Sequence, residues 1–325
     1  MRSRKQYTRR PSWLTRGFVA LTALLVLSLV GYVAVFFKPD RSLSDMTDRW
    51  VQSPSRFIDV QGVQVHMRDV GKPDDRMPLV LLPGSESGLF AYEPWIEPLS
   101  KDRRVIALDL PGFGLSSGMP EDDYRSEAYA RFVVALLDQL GIQRCVLVGY
   151  GFAGEVAWQT AYAHPERVGR LVLITPRGYP SDPWRRSLDE QLLRWSPAAW
   201  LGRITRSRAV VERSLRDRFT IPERITDALV DRYTELPLHE GNRRAQMLRR
   251  EQDRDGSQTE RIRTLQAPTL ILWGENDRQA PAQQAFWFER DIAGSKALLL
   301  SQVGHLPLEE APDRTLSALQ TFLAR

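Results

Sequence analysis

A stretch near the middle of the chain has the pattern of a turn that presents a catalytic nucleophile. The apolar run at 144–148 predicts a buried strand, and residues 155–161 predict a helix that follows almost at once. A sharp, glycine-rich turn between two such elements can lift one side chain clear of a sheet, where an oxygen, sulfur or carboxylate attacks a substrate. Gly149 and Ala153 are small enough for the close packing that this turn requires, but Gly151 occupies its central position. The sequence therefore predicts the turn without its nucleophile.

The chain around this turn alternates between predicted strands and helices. Apolar or alternating runs predict eight strands, at 56–60, 63–69, 79–82, 105–108, 144–148, 170–174, 269–273 and 297–300. Helical spacing predicts helices at 124–140 and 313–323, and the Gln61-Gly62 pair predicts a hairpin turn between the first two strands. This alternation predicts an α/β fold, with a mostly parallel, eight-stranded sheet that helices cover on both faces.

The alternation is interrupted over about 177–262. This insert is rich in arginine and in acidic residues, gives no strand pattern and contains helical stretches such as 222–236. We interpret it as a helical cap that lies over the sheet. The globular part of the chain is then one domain at 55–325 that includes the cap.

The overall composition narrows the classes of function. With 325 residues, 42% of them hydrophobic and 26% charged, the chain can bury one large core. Its single cysteine, Cys145, excludes a disulfide within the chain. The formal net charge is +5, but arginines and acids are mixed along the sequence, without a basic stripe interleaved with aromatic residues. This pattern argues against nucleic acid as a partner.

The N-terminal residues differ in composition from the rest. Residues 1–17 form a basic tail without an acidic side chain, and residues 18–37 carry no charge at all. A helix of about 20 apolar residues can cross a bilayer, so residues 18–37 predict a transmembrane helix that anchors the chain. The polar residues 38–54 predict a linker between this anchor and the domain.

The charges on either side of the apolar run predict its orientation. Basic residues before a membrane segment favour the cytoplasm, so the tail is expected inside the cell and the main domain on the far side, periplasmic or extracellular. The alternative is a cleaved signal peptide, which prefers small residues at the end of its apolar run. Here that end is Tyr-Val-Ala-Val-Phe-Phe at 32–37, which favours a retained anchor.

Four further motifs accompany the turn in order along the chain. They are Asp-Leu-Pro-Gly-Phe-Gly-Leu-Ser at 109–116, His-Pro-Glu-Arg-Val at 164–168, Gly-Glu-Asn-Asp at 274–277 and Val-Gly-His at 303–305. Together with the turn, they resemble the α/β-hydrolase fold family, in the branch of lipase-like, epoxide-hydrolase-like and dehalogenase-like enzymes that carry a helical cap. The resemblance extends from about Arg56 to the end of the chain.

The resemblance implies a hydrolytic site with one member missing. It assigns the family's acid to Asp277, which would orient an imidazole, and its general base to His305. It implies an oxyanion hole formed by the backbone N–H groups of Phe152 and Ser85. The position of the nucleophile falls on Gly151, which has no side chain to form a covalent intermediate.

Two other features bear on the site. Pro83 stands where the family usually has a histidine in the loop that supplies the second oxyanion donor. The remaining histidines, His66, His164 and His239, are not spaced as metal ligands, so the sequence implies no metal and no cofactor.

Two functions remain open from the sequence. The first is a degenerate hydrolase that binds a small apolar molecule or a protein partner at the membrane surface. The second is an active hydrolase of esters, epoxides or related apolar substrates, in which His305 activates a water molecule or another side chain replaces the nucleophile. Ser85, Tyr150 and Ser116 are the candidates for a displaced nucleophile, because their loops lie near the turn in the family.

Overall fold

The structure is a computed structural model that describes residues 13–84, 86–180, 207–253, 256 and 258–324. The first twelve residues of the basic tail, Ser85 and residues 181–206 of the predicted cap therefore lie outside the described residues. Residues 40–185 and 208–325 belong to one compact unit, and the N-terminal helix belongs to another.

The sheet has eight strands and is mostly parallel, as the sequence predicts. The strands are β1 (Arg56–Val60), β2 (Val63–Gly71), β3 (Leu79–Leu82), β4 (Arg104–Leu108), β5 (Cys145–Tyr150), β6 (Val168–Ile174), β7 (Thr269–Gly274) and β8 (Lys296–Leu300). Their spatial order is β1-β2-β4-β3-β5-β6-β7-β8. The β1–β2 and β2–β4 pairs are antiparallel, and the other five pairs are parallel. The strand before the predicted turn, β5, therefore lies in the middle of the sheet.

Helices account for most of the remaining described residues. They are α1 (Trp13–Phe36), α2 (Thr47–Trp50), α3 (Glu93–Ser100), α4 (Ser126–Gln139), α5 (Phe152–Ala163), α6 (Arg208–Arg218), α7 (Asp227–Glu235), α8 (Asn242–Glu251), α9 (Thr259–Ile262), α10 (Gln283–Asp291), α11 (Pro307–Glu310) and α12 (Pro312–Leu323). Short 3₁₀ turns occupy Gly88–Tyr92, Pro222–Arg224 and Leu236–Leu238.

The sheet is buried on both faces because its strands alternate their side chains between two apolar clusters. Along β5, Leu147 packs into a cluster with residues of α4 and α5, whereas Val146 and Val148 pack into a second cluster with residues of α3 and α12. Successive side chains of a strand point to opposite faces, so a central strand covered by helices on both sides must be apolar throughout. This packing confirms the predicted α/β class.

The N-terminal helix α1 contains most of the residues that were predicted to cross a membrane. Its described side chains are largely apolar and exposed, Leu24, Leu25 and Leu27 among them. Within the part of the chain that the structure describes, no helix is both long enough and apolar enough to span a membrane. The predicted transmembrane segment at 18–37 is therefore not confirmed by this structure.

The segment between α1 and the sheet packs against the described part of the cap. Arg41 donates its backbone N–H to the Leu238 carbonyl at 2.7 Å, and Arg49 forms an ion pair with Asp231 of α7 at 2.7 Å. The indole N–H of Trp50 donates to the Glu235 carboxylate at 3.0 Å. Residues 40–50 thus follow the surface of α7 and of the turn after it.

Candidate active site

The predicted turn is present between β5 and α5. Gly151 separates the last residue of β5 from the first residue of α5 and has φ 60° and ψ −120°. A residue with a side chain rarely adopts this left-handed region, and strain of this kind is typical of functional turns. A Cβ atom added to Gly151 would meet no other atom within 4 Å. The turn therefore has the backbone that lifts a nucleophile and open space where its side chain would stand.

Close packing on the inner side of the turn explains the small residues around it. A Cβ atom at Gly149 would overlap the carbonyl oxygen of Ala153, so a side chain at this position would push α5 away from the strand. Two backbone hydrogen bonds complete the turn. Gly151 donates to the Ile174 carbonyl of β6 at 2.9 Å, and Gly154 donates to the Gly151 carbonyl at 3.0 Å.

Asp277 and His305 come together from the loops after β7 and β8. The Nδ1 atom of His305 lies 2.8 Å from Oδ2 of Asp277. The Asp277 side chain is fully buried, whereas 22% of the His305 side chain remains exposed. With Nδ1 held by the carboxylate, Nε2 is the ring nitrogen that can exchange a proton with a bound group.

The carboxylate of Asp277 is held by more than the imidazole. Its Oδ1 accepts the backbone N–H groups of Gln279 and Ala280 at 2.8 and 2.9 Å, and its Oδ2 also accepts the indole N–H of Trp273 at 3.1 Å. A carboxylate with this many donors has a single orientation, so it fixes the plane and tautomer of His305. The arrangement is that of an acid–histidine pair prepared for general-base chemistry.

One of the two implied oxyanion donors lies within the described residues. Phe152 is the first residue of α5, where a backbone N–H has no acceptor within the helix. Ser85, the other donor, lies outside them. Its neighbour Gly84 is tightly packed, since a Cβ atom there would lie 3.3 Å from the ring of Tyr150. The loop after β3 therefore approaches the end of β5.

A buried carboxylate beside the turn engages Tyr150. The Tyr150 hydroxyl donates to Oε2 of Glu309 at 3.1 Å, and the hydroxyl of Tyr233 in α7 donates to Oε1 at 2.8 Å. Burial raises the pKa of the Glu309 carboxyl, although both tyrosine hydroxyls oppose this. Burial and the nearby Glu309 raise the pKa of Tyr150 well above its usual value. Tyr150 is thus held as a neutral hydrogen-bond donor, which disfavours it as a displaced nucleophile.

Ser116 is also occupied by structural contacts. It is fully buried, its hydroxyl donates to the Asp109 carbonyl at 2.7 Å, and its Oγ accepts the His66 backbone N–H at 2.9 Å. A hydroxyl enclosed in this way cannot reach a substrate. Of the three candidates for a displaced nucleophile, the structure thus disfavours Tyr150 and Ser116 and leaves Ser85 undescribed.

A second histidine–aspartate pair lies in the core. The Nδ1 atom of His66 lies 2.8 Å from Oδ2 of Asp109, and both side chains are fully buried. Asp109 also accepts the backbone N–H groups of Leu89 and Leu115, at 2.6 and 2.9 Å. This buried pair therefore joins strand β2, the loop after β4 and the 3₁₀ turn at Gly88–Tyr92. The sequence places His66 in a strand but gives no sign of this partner.

Glu310 ties the cap to the loop that carries the histidine. Its carboxylate accepts the backbone N–H groups of Thr220 and Ile221, each at 2.8 Å, and that of Gly304 at 2.6 Å. The backbone N–H of His305 donates to the carbonyl of Arg218 at the end of α6, at 2.8 Å. Residues 218–221 of the predicted cap are therefore joined to the histidine loop by hydrogen bonds.

Comparisons with known proteins agree with this architecture. The family model described as alpha/beta hydrolase fold matches residues 77–312. The 2-hydroxymuconate semialdehyde hydrolase of Pseudomonas sp. (strain CF600) is 30% identical over 274 residues, which cover 83% of this chain and 93% of the relative. The meta-cleavage product hydrolase of Pseudomonas fluorescens IP01 superimposes with a TM-score of 0.70 at 25% identity, over 83% of this chain and 97% of the other. A bacterial membrane phospholipase A shares the fold, with a TM-score of 0.72 at 23% identity over 95% of this chain and 98% of the other.

Proposed function

Because the chain belongs to the α/β-hydrolase fold family, we propose that it is a hydrolase-like protein that binds a small apolar or ester-like molecule without forming a covalent intermediate. The observation that carries this proposal is Gly151. It stands at the turn with the backbone angles of a nucleophile position and with open space around it, while Asp277 and His305 remain paired on the loops after β7 and β8.

The chemistry of a glycine at this position supports binding rather than covalent turnover. Acyl- and alkyl-enzymes need a side-chain oxygen, sulfur or carboxylate at the turn, and glycine has none. In enzymes with a catalytic triad, removal of the nucleophile leaves only the contribution of the oxyanion hole and of substrate binding, about 10³- to 10⁴-fold over water. A ligand that is held but turned over slowly, or not at all, is the expected outcome.

A second function is favoured by the retained His305–Asp277 pair. Asp277 is fully buried, and its carboxylate oxygens accept four hydrogen bonds, which keeps the His305 ring in one orientation. A histidine held in this way can act as a general base toward a water molecule beside Gly151. The protein would then hydrolyse its substrate directly, with no covalent step.

The names of the relatives support one class of ligand. The similar curated and solved proteins are named as hydrolases of 2-hydroxymuconate semialdehyde, of meta-cleavage products and of epoxides. We propose that this chain binds a small, largely apolar molecule that carries a carbonyl, ester or epoxide group.

A comparison of the wild-type chain with His305→Ala distinguishes ligand binding from direct hydrolysis. We expect the wild-type chain to bind members of a panel of activated esters and epoxides saturably, with no turnover above that of the buffer. His305→Ala should leave this background unchanged. Hydrolysis by the wild-type chain that His305→Ala abolishes would instead establish the water mechanism. Measurement of product release by both proteins, with ligand binding by calorimetry, decides between the two functions.

The location of the domain is a further part of the proposal. Residues 1–17 carry six basic side chains and no acid before the uncharged run at 18–37. This pattern directs the following domain out of the cytoplasm, whether the segment is retained as an anchor or removed as a signal. We expect alkaline phosphatase, which is active only outside the cytoplasm, to be active when fused after Arg325. A fluorescent protein that becomes fluorescent only in the cytoplasm should give no signal when fused at the same point. An inactive phosphatase together with a fluorescent reporter would contradict this location.

A further inference from the structure

A small cavity lies beside the start of α5, apart from the histidine–aspartate pair. Phe152, Glu155 and Trp158 of α5 line it together with Arg249 of α8, and neither Asp277 nor His305 does. Its volume is about 20 Å³, which exceeds the roughly 10–15 Å³ that one water molecule requires. The cavity therefore has room for one small polar group.

Arg249 contributes a buried positive charge to this cavity. The residue is only 9% exposed, and its Nε atom has no hydrogen-bond partner. Its guanidinium carbon lies 4.5 Å from the ring centroid of Phe152 and 5.5 Å from that of Phe113. Contacts with aromatic faces offset part of the loss of hydration, but a buried charge without a counter-ion is strongly unfavourable. Among the described residues, no acidic side chain forms an ion pair with Arg249.

Three acidic side chains line the cavity, and each lies beside another basic group. Glu127 lies 3.6 Å from the guanidinium of Arg261. Both carboxylate oxygens of Asp253 accept from Arg177, at 2.6 and 2.7 Å, and Glu155 lies 3.8 Å from the same guanidinium. Glu155 also accepts a hydrogen bond from Ser126, and burial raises the pKa of its carboxyl. None of the three carboxylates forms an ion pair with Arg249, although Glu155 and Asp253 lie close enough to offset part of its charge.

The adjoining helix adds to the positive potential. Arg125 and Ser126 line the cavity where the 14-residue helix α4 begins. The N-terminus of a helix carries a partial positive charge and free backbone N–H groups, both of which favour anions. Glu127 already places a carboxylate in the first turn of α4, so the guanidinium of Arg249 is the main feature that favours an anion.

We propose that this cavity is a binding site for a small carboxylate, which forms an ion pair with Arg249. The site lies beside the first residue of the helix that follows Gly151, and neither Asp277 nor His305 lines it. Occupation of the cavity compensates the charge of Arg249 and stabilises the packing of α8 against α5. Formate, the smallest carboxylate, comes closest to this volume.

Formate serves as the probe for this site. We expect the melting temperature of the full chain to rise continuously with formate concentration in a low-chloride buffer at constant ionic strength, because a ligand that binds only the folded state stabilises it. Pivalate carries the same charge but is too bulky for the cavity and should leave the melting temperature unchanged. Arg249→Met, which keeps the volume of the side chain and removes its charge, should abolish the response to formate. Arg250→Met, one residue further along α8 and exposed, should respond like the wild type.

Three results would overturn the proposal. These are an unchanged melting temperature of the wild type in formate, an equal rise with formate and pivalate, or an equal rise in Arg249→Met. If Arg249→Met does not fold, Arg249→Gln takes its place, since glutamine retains a polar side chain without the charge. Line broadening of ¹³C-formate by the wild type, and its absence with Arg249→Gln, gives a readout that does not depend on melting. All these measurements are independent of hydrolysis, so their outcome does not bear on the function proposed for the Gly151 site.

Discussion

Gly151→Ser is expected to convert the protein into an esterase that hydrolyses activated esters at least about 10³-fold faster than the wild-type chain. His305 and Asp277, the proposed general base and its acid, are paired at 2.8 Å, and Phe152 begins α5 directly after the substituted position. With His305 and Asp277 in these proposed roles, a hydroxyl at position 151 completes a triad. Initial rates with nitrophenyl esters of short and medium chain length measure the gain, and a serine-reactive phosphonate should label the variant at residue 151.

The structure gives reasons why this variant should fold. A Cβ atom at Gly151 meets nothing within 4 Å, so serine fits without displacing a neighbour. The backbone remains at φ 60°, where a residue with a side chain is strained by about 1–3 kcal/mol. We therefore expect a modest fall in the free energy of unfolding, which urea titration can measure.

Two control variants distinguish the effect of the hydroxyl on activity from the effect of backbone strain on stability. Gly151→Ala introduces the same Cβ atom at the same backbone angles but no oxygen, so it should be destabilised like Gly151→Ser and remain inactive. Adding His305→Ala to Gly151→Ser should remove the gained activity, because the hydroxyl then has no base. A folded Gly151→Ser that neither hydrolyses any ester nor reacts with the phosphonate would contradict the idea that only the nucleophile is missing. Labelling of the wild type at Ser85 would show that the nucleophile has moved.

The structural elements that depend only on neighbouring residues could be predicted from the sequence. The turn at Gly151 follows from a few consecutive residues, because a strand, small residues and a helix in close succession allow few backbone paths. The eight strands follow from short apolar runs with turn residues at their ends. The family resemblance then supplied the assignment of Asp277 and His305, which stand 28 residues apart in the chain.

The contacts that modify the site depend on packing between distant segments. Glu309 and Tyr150 are 159 residues apart, and nothing in the neighbourhood of either predicts a shared buried hydrogen bond. Arg249 belongs to an arginine-rich stretch that the sequence presents as an ordinary charged helix. Its burial arises because α8 lies against the aromatic side chains of Phe113 and Phe152, a contact that only the fold defines.

Removal of the buried Asp109 carboxylate should cause a large loss of stability. Asp109→Ala leaves His66 and the backbone N–H groups of Leu89 and Leu115 without their acceptor in the core. An unsatisfied buried donor lowers stability by about 1–3 kcal/mol, so the three together should lower the free energy of unfolding by about 4–6 kcal/mol. Unfolding in urea, followed by tryptophan fluorescence, measures the difference.

This loss should arise from the hydrogen bonds and not from the cavity alone. Asp109→Asn keeps the shape of the side chain and one acceptor oxygen, and its amide nitrogen then faces a donor, so we expect an intermediate loss of about 2–3 kcal/mol. Asp102→Ala, at a side chain that is 86% exposed, should change stability by less than about 0.5 kcal/mol. If Asp109→Ala lost no more than about 1 kcal/mol, the loops around β4 would be held by their apolar contacts, and the buried His66–Asp109 pair would have to be explained by something other than stability.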